Sequence, residues 1–351
     1  MSRLMSSVML ASYEMTEKMP QYPVRWITTE LAVGYAPGSY NDLAAIRAQG
    51  VAAIVNLCAE CYDLVDIEKN AGFDVYYIPI PDEKEAESYL KGYPMDALRS
   101  KKAFICDMDG VIYHGNQLLP GVSKFLDWLR KEHKKFLFLT NSSERSPREL
   151  REKMLRLTVQ INEDHFYTSA LATAEFLARQ CPEGSAFVIG EAGLTKALYD
   201  AGFSMNDTNP DYVVVGETRN YSYDRLERAV HLVGNGAKLI GTNPDLTDPT
   251  EKGIVPATGA LIAPIELATG SKAYFVGKPN PLMMRHALKR LGCRREETVI
   301  VGDRMDTDII AGLESEIETV LVLSGVTSRE GLERFAYRPR YILDGVGDIV
   351  P

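Results

Sequence analysis

The stretch Ala103-Phe104-Ile105-Cys106-Asp107-Met108-Asp109-Gly110-Val111 constrains this chain more than any other. An apolar run suited to a buried strand stops at two carboxylates one residue apart, and a glycine follows that lets the backbone turn. Residues i and i+2 of a strand share one side. If the extended conformation continues past Cys106, Asp107 and Asp109 are therefore expected to crowd one spot. Crowded acids repel unless a cation lies between them or one is protonated. Either outcome serves catalysis, as a metal-held carboxylate nucleophile beside a carboxyl able to pass a proton. A strand end followed by an acidic turn accounts for these residues equally well, so the choice between the two rests on the remainder of the chain.

That remainder is long enough, at 351 residues, for two or three domains with a sizeable core. With 39 basic and 48 acidic residues the formal charge is -9, and without a basic stripe a nucleic-acid partner is not expected. No apolar run approaches the roughly 20 residues that span a bilayer, so no membrane partner is expected. Ser6 to Ala11 is too short and too weakly flanked for a signal peptide. Cys58, Cys61, Cys106, Cys181 and Cys293 are too few in so long a chain for a disulfide framework, which points to a reducing cytoplasm. Cys58 and Cys61 form one C-x-x-C. A zinc site needs a second pair, so free thiols are the expectation. Cys106 reads as strand packing, and His114, His133, His165, His231 and His286 show no ligand spacing.

Residues 1 to about 20 read as a frayed terminus. From Val24 to Asp82 runs a small αβ pattern: a strand over Ile27 to Val33, a helix capped by Ser39 that carries Leu43 and Ile46 and stops at Gly50, then strands over Val51 to Leu57 and Val75 to Ile80. The runs Ile27-Thr28-Thr29-Glu30-Leu31, Val55-Asn56-Leu57 and Tyr77-Ile78-Pro79-Ile80-Pro81-Asp82 resemble the first half of a dual-specificity or tyrosine-type phosphatase domain. Such enzymes need a cysteine followed six positions later by an arginine, which clamps the phosphate that the thiolate attacks. Here those positions hold Leu64, Ile67, Ile112, Phe187 and Val299. Residues 1–100 are therefore expected to be a non-catalytic accessory segment, with Glu83 to Lys102 as its linker.

Beyond the linker the pattern alternates strongly. Val122, Phe125, Leu126 and Leu129 fall at helical spacing, and Phe136 to Leu139 is a buried strand ending in Thr140-Asn141-Ser142-Ser143. Ser146-Pro147-Arg148-Glu149 reads as a helix start with a capping box. Tyr274 to Gly277 ends in Lys278-Pro279, Val299 to Gly302 ends in Asp303, and Val320 to Leu323 is a fifth strand. Asp107 with Asp109, Thr140 with Asn141, Lys278 and Asp303 thus each close an apolar strand. In a doubly wound parallel sheet such ends line one edge, where ligands bind. Three acids, a hydroxyl and a lysine there make a site for a divalent cation and a phosphate. Between Thr168 and Lys272 lies a second αβ unit, with strands at Phe187 to Ile189, Tyr212 to Val215 and Lys238 to Ile240 and helices at Leu194 to Ala201 and Tyr223 to Val233. Because chain on both sides of it feeds one inferred sheet, it reads as an insertion that shields the reaction. Gly190-Glu191-Ala192-Gly193 lacks a nucleotide-loop fingerprint and reads as a turn of that unit.

The motifs Asp107-Met108-Asp109-Gly110-Val111, Thr140-Asn141-Ser142-Ser143, Gly277-Lys278-Pro279 and Gly302-Asp303-Arg304-Met305-Asp306-Thr307-Asp308, in this order, strongly resemble the haloacid dehalogenase superfamily. The resemblance covers residues 101–351 and is supported by Gly241-Thr242-Asn243-Pro244-Asp245 and Leu323-Ser324-Gly325-Val326-Thr327. It is to the phosphatases with a large αβ cap after the second motif, which include 4-nitrophenylphosphatases and phosphoglycolate, pyridoxal phosphate and nucleotide monophosphatases. The resemblance implies an α/β fold, with a doubly wound, Rossmann-like core of residues 101–167 and 273–351 and an inserted cap of residues 168–272. It further implies a Mg²⁺-dependent phosphomonoesterase for a small phosphorylated metabolite. Asp107 would be the nucleophile and Asp109 the general acid and base. Thr140, the Asn141 amide and Lys278 would hold phosphate. Asp107, the Asp109 carbonyl and Asp303 would hold the metal, with Asp308 orienting them and Asp306 a surface charge. Caps of this kind often pair, so a homodimer through the cap is expected. The contrary reading is a scaffolding protein whose N-terminal part recruits partners; it is opposed by the intact set of aspartates.

Overall fold

The computed structural model describes residues 7–11, 24–26, 31–34, 40–58, 68, 71–80, 95–250 and 253–351. The chain divides into two compact units, Met1–Gly92 and Tyr93–Pro351. Among the described residues no helix is long and apolar enough to cross a membrane.

The first unit is a five-stranded sheet with one described helix of any length, Tyr40–Ala48. Its strands are β1 (Ser7–Ala11), β2 (Val24–Trp26), β3 (Leu31–Gly34), β4 (Val51–Cys58) and β5 (Asp74–Ile80), in the order β2-β3-β1-β4-β5. Leu43 and Ile46 pack on Val51, Ile54 and Phe73, as the helical spacing predicts. The terminus is not frayed at Ser7–Ala11: that segment is the central strand, antiparallel to both β3 and β4. Five residues without strict alternation carry no strand signature alone, and it is pairing on both edges that makes the strand. Ser39, Cys61 and residues 27–30 lie outside the described residues.

The second unit opens with a short helix, Met95–Arg99, whose Leu98 is fully buried. The expected linker therefore ends earlier than Lys102. Arg99 Nε donates to the Ile349 carbonyl at 2.8 Å, tying this helix to the far end of the chain. Strands β6 (Ala103–Cys106), β9 (Lys135–Thr140), β10 (Phe166–Thr168), β18 (Thr298–Gly302), β19 (Glu318–Val322) and β20 (Tyr341–Leu343) form one parallel sheet in the order β10-β9-β6-β18-β19-β20. This is the doubly wound order, in which winding reverses beside the first strand and leaves a crevice at the carboxyl ends. Alternate residues serve opposite faces. Phe104, Cys106, Phe136, Phe138, Val299 and Val301 meet the helix Val122–Lys131. On the other face Ala103, Ile105, Leu137, Leu139 and Ile300 meet the helix Pro281–Leu291. Burial on both faces is why these strands read as continuous apolar runs.

Between β6 and β9 lies a hairpin, β7 (Tyr113–His114) with β8 (Gln117–Leu118). The inserted domain has its own parallel sheet: β11 (Ser185–Ile189), β12 (Ser204–Met205), β13 (Tyr212–Val215), β14 (Lys238–Gly241) and β17 (Tyr274–Phe275), in the order β12-β11-β13-β14-β17. A further hairpin, β15 (Thr247–Thr250) with β16 (Gly253–Pro256), extends from it. Tyr274–Phe275, expected in the core sheet, instead pairs with Ile240 and Gly241 and closes the edge of this second sheet. Two residues of strand next to a chain crossing cannot declare their sheet by periodicity. One apolar cluster spans both sheets, joining Ile105 and Leu139 of the core to Val188, Val214 and Ile240 of the insertion.

Candidate active site

Asp107 leaves β6 with its N–H donating to the Val301 carbonyl at 2.8 Å. The strand stops at Cys106, and Gly110 takes φ 77, a conformation open to glycine. A side chain at Gly110 would also lie 2.4 Å from Asp303 Oδ2. The extended conformation thus ends before Asp109, and the two acids take different partners. The Asp109 carboxylate is 51 % exposed, 3.5 Å from His114 Nδ1, whereas that of Asp107 is 13 % exposed and faces Lys278. His114, whose spacing showed no ligand pattern, is thus a neighbour of Asp109.

Lys278 arrives from the insertion, across Val276 and Gly277, and not from the end of a core strand. Its ammonium donates to Asp107 Oδ1 at 2.7 Å and to Asp308 Oδ1 at 2.5 Å. Asp308 is carried inward by a π-helical turn, Met305–Ile309, and its other oxygen accepts from the Arg304 N–H at 3.1 Å. Asp303, at the end of β18, accepts from the Val326 N–H at 2.7 Å through Oδ2, while its buried Oδ1 has no hydrogen-bond partner among the described residues. Asp306 points outward and pairs with Arg304. Asp107, Asp303 and Asp308 each offer an oxygen, and these atoms all lie within 4.8 Å of one another.

Three buried acids against one lysine leave this pocket short of positive charge. Burial pushes Asp107 well above the ordinary carboxylate range, reinforced by Asp308 and Asp303 and opposed by Lys278. Burial and Asp308 push Asp303 up to about 7. Burial alone would draw the Lys278 ammonium down, but Asp107 and Asp308 hold it above the usual lysine range. An all-oxygen donor set, an orphaned buried oxygen and surplus negative charge fit a hard divalent cation.

Thr140, at the end of β9, accepts from the Ser142 N–H at 3.1 Å, leaving its hydroxyl hydrogen to donate elsewhere. The Asn141 side chain is committed to protein: Oδ1 accepts from the Lys278 N–H at 2.8 Å, and Nδ2 donates to the Lys278 carbonyl at 3.0 Å and to Asp245 Oδ2 at 2.9 Å.

The family model described as haloacid dehalogenase-like hydrolase matches residues 104–204, and a second haloacid dehalogenase-hydrolase-like model matches residues 275–349. A dihydroxyacetone phosphatase of Corynebacterium glutamicum (strain R) is 44 % identical over 247 residues, 70 % of this chain and 90 % of that protein. The chain belongs to the haloacid dehalogenase-like hydrolases. Ribonucleotide monophosphatase NagD of Escherichia coli (strain K12) is likewise 44 % identical over 249 residues, 71 % of this chain and 98 % of that one. Its solved structure superposes with a TM-score of 0.67 at 42 % identity, covering 71 % of this chain and 98 % of NagD. A 4-nitrophenylphosphatase from Thermotoga maritima superposes with a TM-score of 0.70 at 34 % identity, covering 72 % and 98 % respectively.

Around the motifs this hydrolase carries further polar residues: Asn243 and Asp245, which the Gly241-Thr242-Asn243-Pro244-Asp245 run included without a role, and Glu217 and Lys153, which motif reading did not single out. Glu217, Asn243 and Asp245 of the cap hydrogen-bond to the loop after β9, and Arg304 approaches Asp245 at 3.9 Å. Lys153 lies 3.5 Å over the Tyr113 ring, and burial, with Arg145 nearby, draws its ammonium down to about 8. Glu217 and Lys153 sit alone among apolar or surface residues in sequence, so nothing in their spacing marks them.

Proposed function

We propose that this haloacid dehalogenase-like hydrolase is a Mg²⁺-dependent phosphomonoesterase that cleaves a small phosphorylated metabolite through an aspartyl phosphate. The observation carrying this reading is the buried Lys278 held between Asp107 and Asp308 at 2.7 and 2.5 Å with Asp303 beside them. It is supported by the phosphatase names of the relatives. Asp107 attacks phosphorus, forming its Oδ–P bond as the ester P–O bond breaks. Asp109 protonates the leaving alkoxide, then takes a proton from the water that attacks the aspartyl phosphate, releasing inorganic phosphate and restoring Asp107. Partial burial raises the half-exposed Asp109 above the ordinary carboxylate range, with Lys153 and His114 opposing. The Thr140 hydroxyl and the Asn141 main-chain N–H hold phosphate oxygens, and Lys278 offsets the charge gathered there. Asp107, Asp303 and the Asp109 carbonyl would hold Mg²⁺, with Asp308 orienting Lys278. When bound, the ion would keep Asp107 ionised and neutralise phosphate charge. All of these residues lie within Tyr93–Pro351.

The purified protein should hydrolyse 4-nitrophenyl phosphate when Mg²⁺ is added. Asp107→Asn keeps the shape but is neither nucleophilic nor anionic, so kcat should fall by about three orders of magnitude with an unchanged circular dichroism spectrum. Near-normal turnover by the folded variant would overturn the nucleophile assignment.

A further inference from the structure

Glu217 follows β13 of the cap and is 6 % exposed. A carboxylate is costly to bury unless donors surround it. Oε2 accepts from the Ser143 N–H at 2.8 Å and from Ser143 Oγ at 2.6 Å, and Oε1 accepts from Asn243 Nδ2 at 2.5 Å. Ser143 belongs to the core loop after β9; Glu217 and Asn243 follow two neighbouring cap strands. Asn243 Nδ2 also donates to the Asn141 carbonyl at 2.8 Å. Asn141 in turn grips both the N–H and the carbonyl of Lys278, whose ammonium meets Asp107. The crossing leaves no slack: a side chain at Gly277 would lie 2.5 Å from the Thr242 carbonyl and 2.8 Å from Asn141 Oδ1.

We infer that Glu217 is a positioning residue for catalysis, anchoring the Thr140–Ser143 loop to the cap and, through Asn243 and Asn141, setting where Lys278 stands. The inference rests on the phosphatase reading of the site. Only an acceptor on both oxygens suits the position, since a main-chain N–H points at one and an amide N–H at the other. Glutamine has the same shape but must turn its own NH₂ toward one of these donors, breaking one arm of the bracket. Alanine breaks both.

The test compares wild type, Glu217→Gln, Glu217→Ala and Ser143→Ala with 4-nitrophenyl phosphate at saturating Mg²⁺, well below each melting temperature. Inorganic phosphate serves as the competing probe. Misplacing catalytic groups by a fraction of an ångström predicts a kcat loss of about 10-fold for Glu217→Gln and about 100-fold for Glu217→Ala. Weaker inhibition by inorganic phosphate should follow the same order. Ser143→Ala keeps its main-chain donor and should lose only about 3-fold. Folded variants with lowered melting temperatures but wild-type kcat and phosphate inhibition would make Glu217 merely structural and overturn the inference. If Glu217→Ala does not fold, Glu217→Gln alone decides in the same way. A wild type without turnover would overturn the phosphatase reading together with this inference, whereas an active wild type with unaffected variants overturns this inference alone.

Discussion

Lys278 is 2 % exposed and faces Asp107 and Asp308 within hydrogen-bond distance, so its charge is matched twice over inside the protein. Lys278→Met keeps most of the stem and removes the charge, leaving the two acids without their shared cation. Breaking one partner of a buried pair costs about 3–5 kcal/mol. We expect a loss of that order in urea unfolding, together with loss of turnover; a variant as stable as wild type would show that the acids take up protons without penalty. Asp303 leads to a pH prediction. Its folded pKa of about 7 lies above the ordinary 3.8, so in the metal-free protein its contribution to stability is fully present below about 3.8 and is lost as pH rises through about 7. Ligation needs the ionised form, so protons compete with Mg²⁺ below about pH 7. In EDTA the melting temperature should therefore fall from about pH 5 to about pH 8, whereas with Mg²⁺ it should hold or rise. The Mg²⁺ concentration giving half-maximal turnover should increase as pH drops below about 7. Indifference of both measurements to chelator would remove the metal from the reading.

Among the elements, the helix Pro147–Arg156 begins as its sequence predicts. Ser146 accepts from the Glu149 N–H, and the Glu149 carboxylate returns to the Ser146 N–H at 2.8 Å. Those bonds hold Glu149 below the ordinary carboxylate range. The helix follows the Thr140–Ser143 loop, but its cap bonds are exposed and join only Ser146 and Glu149. Ser146→Ala should thus cost about 1 kcal/mol in stability and leave kcat unchanged; a large kcat loss would mean the cap helps shape the loop. The element that sequence placed wrongly is β17. Its pairing with β14 means that Lys278 is delivered by a crossing between sheets, which is why Asn141 is needed to hold the Lys278 main chain on both sides.

At the scale of the molecule, every proposed catalytic group lies in the unit Tyr93–Pro351. We propose that this unit folds and acts alone, and that residues before 101 add to its stability. Leu98 is fully buried against Phe104 and its neighbours, and the Arg99 guanidinium reaches the Ile349 and Val350 carbonyls. Burying one leucine contributes about 2 kcal/mol. The fragment 93–351 should match full-length kcat and Mg²⁺ dependence. The fragment 101–351 should be active but melt several degrees lower. Equal melting temperatures would show that the Met95–Arg99 helix adds nothing, and an inactive, folded 93–351 fragment would place the N-terminal unit within the machinery.

The parallel core strands, buried on both faces, are largely apolar, so β6, β9, β18 and β19 were legible as runs, and the acids and hydroxyl at their ends, with Lys278 after Gly277, marked the candidate site. The N-cap at Ser146 was legible because capping is a contact between residues three apart. Other short strands were not: β1, β10 and β20 have three to five residues without a clear period, and hydrogen bonding to partners distant in sequence makes them strands, while β17 was legible as a strand but not by its sheet. Nor could sequence give Asp107 and Asp109 their different partners, Lys278 and His114, which come from segments distant from the strand or from the hairpin after it. Glu217 and Asn243 are 26 residues apart and meet only because β13 and β14 pair in register, placing their carboxyl ends side by side above the core. Side-chain type and local spacing thus determined which chemistry this chain could hold, whereas sheet order and the crossing of the insertion decided which of its polar groups meet, since those contacts join segments whose separation no local pattern encodes.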